Sequence, residues 1–174
     1  DLILLAHKDE DIKDSLIKKI IKIIPEGYSP YKDVVKTDKG WSLITRANNR
    51  KNPVYPFADY FWAWKSGHEL LFSVIGQKLP QADIYHAIST GFAGLIALCA
   101  NVRYNKPFLL TEHGLYHKER EMEIRRATFV KGSQRDMWIK MYNKLSTVCY
   151  SNADIITSLF EVNRQHQINL GAKP

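Results

Sequence analysis

Cysteine is scarce in this sequence: two of its 174 residues, Cys99 and Cys149, are cysteines. Their spacing matches neither a metal site nor a disulfide framework, so we expect both to act as small buried hydrophobic residues in a reducing compartment. Long apolar runs are also absent, since none approaches the roughly 20 residues that cross a bilayer. The six histidines show no zinc-type spacing, and we expect no bound metal. These absences argue against a disulfide-stapled scaffold, a metal enzyme and a membrane-spanning helix.

Negative charge is in the minority: 18 Asp and Glu oppose 25 Lys and Arg, which gives a net charge of +7. A basic balance favours phosphate-bearing partners or an anionic membrane surface. The positive residues are scattered and mostly lie beside acids, which is typical of an ordinary solvated surface. We therefore expect a solvated surface first, attraction to a membrane as the alternative, and no nucleic-acid partner.

What the sequence does contain is a regular alternation of short apolar segments and helical patterns from Pro80 onward. The predicted strands are Asp83–Ala87, Pro107–Thr111 and Ala153–Ser158, and the predicted helices are Gly91–Tyr104, Tyr116–Ala127, a long helix capped by Ser133, and Leu159–Asn169. Strands that are apolar on both faces and alternate with helices are typical of a parallel sheet with helices on both sides. The predicted fold class is α/β, with a Rossmann-like parallel sheet covered by helices.

The residues before Pro80 have a mainly helical pattern. The predicted elements are a helix with apolar positions Ile12, Leu16, Ile20 and Ile23 that ends at Pro25, an irregular connection at Pro25–Gly40, and helices at Trp41–Arg50 and Asp59–Lys78. The segment Asp1–His7 fits a buried strand or the start of a helix. The aromatic stretch Tyr60–Trp64 fits a helix core better than a platform for sugar rings.

Two segments directly follow predicted strands, where open parallel α/β sheets bind their ligands. The first contains Ser89, Thr90 and Gly91, which offer hydroxyls and, with Gly94, a backbone that a partner can approach closely. Exposed amides at such a helix start favour anions or sugar oxygens. The alternative is a well-capped helix packed tightly against its neighbours. The spacing matches neither G-x-G-x-x-G nor a P-loop, so no nucleotide motif is predicted.

The second segment contains Glu112, His113 and Gly114 at the end of an apolar strand. Such groups are costly to bury without partners and are well placed for a cleft. His113 could donate a hydrogen bond to a sugar hydroxyl or a developing phosphate charge, and Glu112 could orient it; a hydrogen-bonded structural histidine is the alternative. The helix that follows alternates in charge, which is typical of a solvated face. One of its arginines could reach back into the cleft: Arg120, Arg125 or Arg126.

Several separated motifs are more specific than these patterns. In chain order they are Asp59–His68 (DYFWAWKSGH), His86–Gly94 (HAISTGFAG), Pro107–Ile124 (PFLLTEHGLYHKEREMEI), the Met137-Trp138-Ile139 helix and Ala153–Gly171 (ADIITSLFEVNRQHQINLG). Together they resemble the N-terminal domain of family 4 glycosyltransferases of the Pel exopolysaccharide type, over about Trp41 to Pro174. The resemblance implies a GT-B fold, in which two Rossmann-like domains face a cleft. Residues 1–174 would form a partial N-terminal, acceptor-side domain, with the C-terminal nucleotide-sugar-binding domain absent.

The resemblance also implies a retaining glycosyltransferase that moves a sugar from a nucleotide-sugar, expected to be a UDP-sugar, to a growing polysaccharide or other glycan, with no bound cofactor. His113 matches the family's strand-end histidine and would contact the donor sugar and its leaving phosphate. The turn at Ser89, Thr90 and Gly91 would line the acceptor side. The segment after the third strand would lie at the cleft rim, through Glu161, Asn163 and Arg164.

The implied partners are the nucleotide-sugar donor, the glycan acceptor and the C-terminal domain in cis, with polysaccharide-assembly membrane proteins as further candidates. The implied location is the cytoplasm, with peripheral attachment to the inner face of the membrane as an alternative. Two features depart from the family pattern: the Gly-rich turn after its first strand is not visible, and His117 stands where a small polar residue is expected. Other functions therefore stay open, namely a GT-B-fold nucleotide-sugar epimerase or phosphorylase, or a non-catalytic interaction domain.

Overall fold

The computed structural model describes residues 14–49, 56–130 and 132–174. Its elements, in chain order, are α1 (Asp14–Ile23), α2 (Tyr31–Val35), α3 (Asp38–Asn49), α4 (Phe57–Ile75), β1 (Tyr85–Ala87), α5 (Gly91–Tyr104), β2 (Phe108–Glu112), α6 (Tyr116–Arg126), α7 (Gly132–Asn152), β3 (Ile155–Ser158) and α8 (Glu161–Asn169). From β1 onward, strands and helices alternate as the sequence predicts. The predicted Rossmann-like α/β fold is confirmed.

The sheet is parallel, and the described strands lie in the order β1-β2-β3. Tyr85 pairs with Phe108 at one end of the sheet, and Glu112 pairs with Ser158 at the other. Each of the three predicted strands is present, with ends that differ from the prediction by one or two residues. Because parallel strands run in one direction, the residues that follow β1, β2 and β3 all emerge at the same edge.

The core lies between one face of this sheet and a layer of helices. Helix α5 packs on β1 and β2, while α7 packs on α4, α5 and α6. The side chains that fill this layer are almost completely buried; they include Phe72, Leu95, Leu98, Phe108, Leu110, Val148 and Tyr150. Burial of this apolar area is the main source of stability, at about 25 cal/mol for each Å² removed from water.

The opposite face of the sheet is only partly covered by the residues that the structure describes. Side chains alternate between faces along a strand, and the residues on this second face are more exposed than their neighbours. Ile155 is 61% exposed in β3, and His86 is exposed in β1. The second layer of helices expected from the sequence is therefore not found among the described residues.

Helices α5 and α7 approach each other closely because a glycine lies at their contact. A Cβ atom on Gly94 would lie 2.4 Å from the Sγ of Cys149, which is closer than such atoms can approach. Cys149 and Cys99 are both free and buried, and burial raises the pKa of the Cys99 thiol to about 12 and also raises that of Cys149. The prediction that both cysteines act as small buried hydrophobic residues is confirmed.

The part of the chain before β1 differs more from its prediction. In α1 the predicted positions Leu16 and Ile20 are half-buried and Ile20 packs against the core, whereas the predicted Ile23 is 65% exposed and the fully buried residue is Ile21. The predicted apolar stripe is therefore correct only in part. The segment 25–40 was expected to be irregular, but it contains α2 and the first turn of α3. The predicted strand or helix at Asp1–His7 lies outside the described residues. Within the described ranges, no helix is both long and apolar enough to cross a bilayer.

Candidate functional site

His113 lies at the edge of the sheet where the three strands end. It directly follows β2, and its side chain is exposed to solvent. The next two residues form the turn into α6, and the amides of Lys118 and Glu119 donate to the carbonyl of Leu115 at 2.8 and 3.1 Å. The structure thus gives the imidazole the strand-end position and the solvent access that a ligand-contacting residue requires.

The preceding residue, Glu112, points in the opposite direction. Its side chain is 1% exposed, and its two carboxylate oxygens accept four hydrogen bonds. Oε1 accepts from the Thr90 hydroxyl at 3.1 Å and from the Tyr116 amide at 3.2 Å. Oε2 accepts from the Tyr150 hydroxyl at 2.6 Å and from the Gln167 amide at 2.9 Å. The expectation that Glu112 contacts substrate or orients the His113 ring is corrected, because this carboxylate faces the protein interior.

The hydrogen bonds of Glu112 belong to a larger buried network that joins all three strand ends. Thr90 follows β1 and also bonds to Ser146 of α7 at 2.7 Å. Gln167 of α8 accepts a hydrogen bond from Ser158, the last residue of β3. None of the ion pairs among the described residues includes Glu112. Neutral donors therefore stabilise this buried carboxylate, and in doing so they fix the turns that follow β1, β2 and β3.

Tyr150 is the closest donor to the Glu112 carboxylate among side chains. Burial raises the pKa of the Tyr150 hydroxyl, and the negative charge of Glu112 together with their hydrogen bond raises it further. The phenol consequently remains a proton donor throughout the physiological range. The network is a fixed scaffold rather than a group that exchanges protons with a substrate.

The turn after β1 is more tightly packed than the sequence suggested. The Thr90 hydroxyl is engaged inside the protein, so its predicted contact with substrate is corrected, whereas Ser89 is only half-buried. Gly91 has a φ of +71°, and a Cβ there would lie 2.5 Å from the ring of Tyr116. The glycine is required by packing within the chain, as the alternative interpretation of this segment holds, and leaves no space for a ligand at its Cα.

Gly114 also lies beside a side chain of the same protein. A Cβ at this position would meet the carboxylate of Glu119 at 2.2 Å, so Glu119 folds over the turn that carries His113. Because the far end of a glutamate is flexible, this contact could open for a ligand. The turn that carries His113 is thus held from the interior by Glu112, and the Glu119 carboxylate lies against it on the outside.

The residues predicted at the cleft rim lie on the first turn of α8. Glu161 accepts from Arg164 at 3.0 Å and from Gln165 at 2.7 Å, and these hydrogen bonds lower the pKa of its carboxyl, the one from Gln165 more than the one from Arg164. Asn163 is half-buried. All of them lie at the same sheet edge as His113, and Glu161 bonds to Arg164 and Gln165 of its own helix.

The sequence analysis missed a set of exposed apolar side chains at this edge. Four residues that immediately follow β1 or β3 are at least 60% exposed: Ile88, Leu159, Phe160 and Val162. The available signal was the run Leu159-Phe160-Glu161-Val162, where large apolar residues interrupt the expected polar start of a helix. Exposed apolar side chains that form one contiguous patch are typical of a surface that contacts a partner or ligand.

Arg120 does not lie with these residues but on the wall of a separate pocket between α6 and α7. Its guanidinium stacks over the Tyr116 ring at 5.2 Å and pairs with Glu123. Arg125, a second candidate, pairs with Glu121 and is exposed. Among the described residues, no group of three His, Cys, Asp or Glu side chains is arranged to hold a metal ion.

Of the comparisons with known proteins, one gives a match. No curated protein and no solved structure matches the chain. A family model described as a domain of unknown function (DUF3492) matches residues 2–174, which is nearly the whole sequence. The chain that carries this strand-edge arrangement of His113, Glu112 and the apolar residues therefore belongs to the DUF3492 family.

Proposed function

We propose that this chain is the acceptor-side domain of a retaining glycosyltransferase that transfers a sugar from a UDP-sugar to a glycan. The observation that carries the proposal is the exposed imidazole of His113 at the carboxyl edge of a parallel sheet. Open α/β sheets bind their ligands at this edge. The sequence motifs around this edge, which resemble family 4 glycosyltransferases, supply the reaction class.

Transfer with retention requires stabilisation of a departing nucleotide diphosphate and of a sugar with oxocarbenium character. His113 would donate a hydrogen bond to the donor sugar or to the leaving phosphate, and would act electrostatically rather than as a nucleophile. The N-termini of α5 and α8 lie at the same edge, and helix N-termini attract anions and sugar oxygens. A second Rossmann-like domain in cis would hold the nucleotide.

The rigid turn below His113 supports this role. The Glu112 network fixes the backbone on both sides of the histidine, through the Tyr116 amide and through the β2 strand itself. A group that stabilises a transition state must be held within a fraction of an ångström of its working position. The implied place of action is the cytoplasmic side of the membrane, where nucleotide-sugars are supplied and assembly proteins could bind the enzyme.

The test is an assay of a protein that joins this domain to its nucleotide-binding domain. UDP release and acceptor extension are measured with a panel of UDP-sugars, and the anomeric configuration of the product is determined by NMR. We expect His113→Ala to lower kcat by about 100-fold or more, as loss of a transition-state donor does. The matched control His166→Ala, an exposed histidine on α8, should leave kcat within about twofold of wild type.

The alternatives give different products in the same assay. An epimerase would change the UDP-sugar without an acceptor, and a phosphorylase would require inorganic phosphate. If every UDP-sugar stays intact with every acceptor tried, or if His113→Ala is as active as wild type, the proposal is wrong. The isolated 174-residue chain should release no UDP, because it would lack the nucleotide site.

A further inference from the structure

A pocket of about 250 Å³ lies between α6, the loop that follows it and α7. Its polar side chains are Arg120, Glu123 and Gln134, and its aromatic side chains are Trp138 and Tyr142; two aliphatic side chains complete the wall. Pockets for drug-sized ligands have volumes of roughly 300–1,000 Å³. This pocket is too small for a nucleotide-sugar, but a single sugar ring would fill it.

The aromatic side of the pocket is part of a continuous row of rings. Trp138 and Tyr142 lie 5.8 Å apart, and Tyr142 contacts Tyr116 edge-on at 5.9 Å. Tyr116 in turn packs against Gly91, at the start of α5. The row therefore connects the pocket to the strand-end turn beside His113. Because the contact between Tyr116 and Gly91 closes that end of the row, the pocket itself is the part that can hold a sugar residue.

One polar residue of the pocket wall, Arg120, has an unpaired donor. The Nε atom of Arg120 is buried and has no hydrogen-bond partner among the described residues. Buried polar atoms are normally paired, and an unpaired one calls for a ligand, an ion or an ordered water. Because this atom is covered by neighbouring groups, a hydroxyl oxygen bound in the pocket would accept its hydrogen bond once the Arg120 side chain shifts.

The charge of the pocket favours a neutral ligand over a phosphate. The guanidinium of Arg120 is already paired with the carboxylate of Glu123, so the pocket holds no excess positive charge for a phosphate. A neutral ligand with many hydroxyls and an apolar ring face matches the available groups better. Trp and Tyr provide the apolar surface, while Arg, Glu and Gln provide donors and acceptors for hydroxyls.

We infer that the pocket between α6 and α7 binds one neutral pyranose residue of the glycan acceptor, outside the strand edge that carries His113. The acceptor role rests on the proposed function, whereas sugar binding by the pocket can be tested without it. Arg120 would then bind the acceptor from this pocket rather than reach back into the cleft.

The experiment uses the 174-residue chain labelled with ¹⁵N, and monitors the four tryptophan indole resonances. The probes are the methyl glycosides of glucose, galactose and N-acetylglucosamine, with UDP as an anionic comparison. At least one glycoside should shift the Trp138 resonance saturably, with affinity of about 1 mM, and leave the exposed Trp62 resonance unchanged. The Trp138 resonance is identified from its loss in Trp138→Phe.

Two variants test the site itself. Arg120→Ala should weaken glycoside binding at least about tenfold, while Arg125→Ala on the same helix should leave it within about twofold. If far-UV circular dichroism shows that Arg120→Ala is unfolded, Gln134→Ala replaces it, because Gln134 is exposed and its loss leaves the core intact.

The inference fails if no glycoside shifts Trp138, if UDP alone does so, or if the folded pocket variant binds as tightly as wild type. These results are independent of the enzyme assay. Sugar binding with no transferase activity would leave the pocket in place and remove the proposed function. Transferase activity without sugar binding in this pocket would support the proposed function and exclude the pocket as a sugar site.

Discussion

Glu112 carries a carboxylate into the interior of the protein, and four donors from four different segments surround it. An isolated buried charge would be strongly unfavourable, and here hydrogen bonds from neutral groups replace the lost hydration. The donors lie after β1, at the start of α6, on α7 and on α8. One side chain thus holds together the loops that form the candidate site.

Removal of this carboxylate should be costly. Glu112→Ala leaves the Thr90, Tyr150 and Gln167 donors without their acceptor, and we expect a loss of at least about 3 kcal/mol in the free energy of unfolding, since each unpaired buried donor costs roughly 1–3 kcal/mol. Urea denaturation measures it. Glu121→Ala, which removes a partly exposed carboxylate of α6, should cost less than about 1 kcal/mol. Equal effects of the two substitutions would show that the Glu112 network does not stabilise the fold.

His117 is a buried histidine whose Nδ1 has no hydrogen-bond partner among the described residues. Burial lowers its pKa below the usual 6.5, Lys118 and His166 lower it slightly, and Glu121 opposes them. The folded protein therefore binds this proton less readily than the unfolded chain does. Its contribution to stability is complete above about pH 6.5 and is lost as the pH falls below that value.

This linkage predicts a pH dependence that one substitution removes. The free energy of unfolding of the wild type should fall between about pH 7 and pH 5, by at most about 1.4 kcal/mol for each pH unit from this group. In His117→Gln the same interval should be flatter, as urea titrations at a series of pH values would measure. The exposed His86→Gln should retain the wild-type slope; a wild-type slope in His117→Gln would contradict the assignment.

At the scale of elements, the contact between α5 and α7 depends on Gly94. Gly94→Ala places a methyl group where the Cys149 sulfur lies, and we expect a loss of about 1–3 kcal/mol from overpacking. Adding Cys149→Ala removes the clash. The loss of stability in the double variant should therefore be smaller than the sum of the losses in the two single variants. Thermal unfolding followed by circular dichroism measures all three. Strict additivity would show that the helices do not meet at this point.

The sequence predicted the bounds of some helices correctly, but it did not predict which face of every helix is buried. Helix α5 begins and ends at the predicted residues Gly91 and Tyr104, because a turn precedes it and Asn105, with a φ of +53°, ends it. In helix α1 the prediction placed Ile23 instead of Ile21 on the buried face, because isoleucines occupy positions 20, 21, 23 and 24. The four isoleucines form one broad apolar face, opposite the exposed Lys18, Lys19 and Lys22, so neighbouring elements decide which of them is fully buried. Arg103 of α5 helps to set this by donating to the Ile24 carbonyl at 2.9 Å.

At the scale of the whole molecule, the described sheet has one buried and one exposed face. Leu110→Ala, on the buried face, should cost about 2–5 kcal/mol, because it leaves a cavity in the core. Ile155→Ala, on the opposite face, should cost less than about 1 kcal/mol, because most of its side chain is already in contact with water. Chemical denaturation of the two variants measures the difference. Similar losses would show that the second face is covered in solution.

The sequence by itself determined the α/β class, the three parallel strands and the position of His113 at a strand end, because apolar periodicity and turn residues are local properties of the chain. Only the tertiary structure decided the role of Glu112. Its partners Thr90, Tyr150 and Gln167 lie 22, 38 and 55 residues away along the chain. No local pattern in the sequence predicts that these residues contact Glu112. Hydrogen bonds between such distant residues depend on how the helices pack on the sheet, and packing is decided by the whole chain at once.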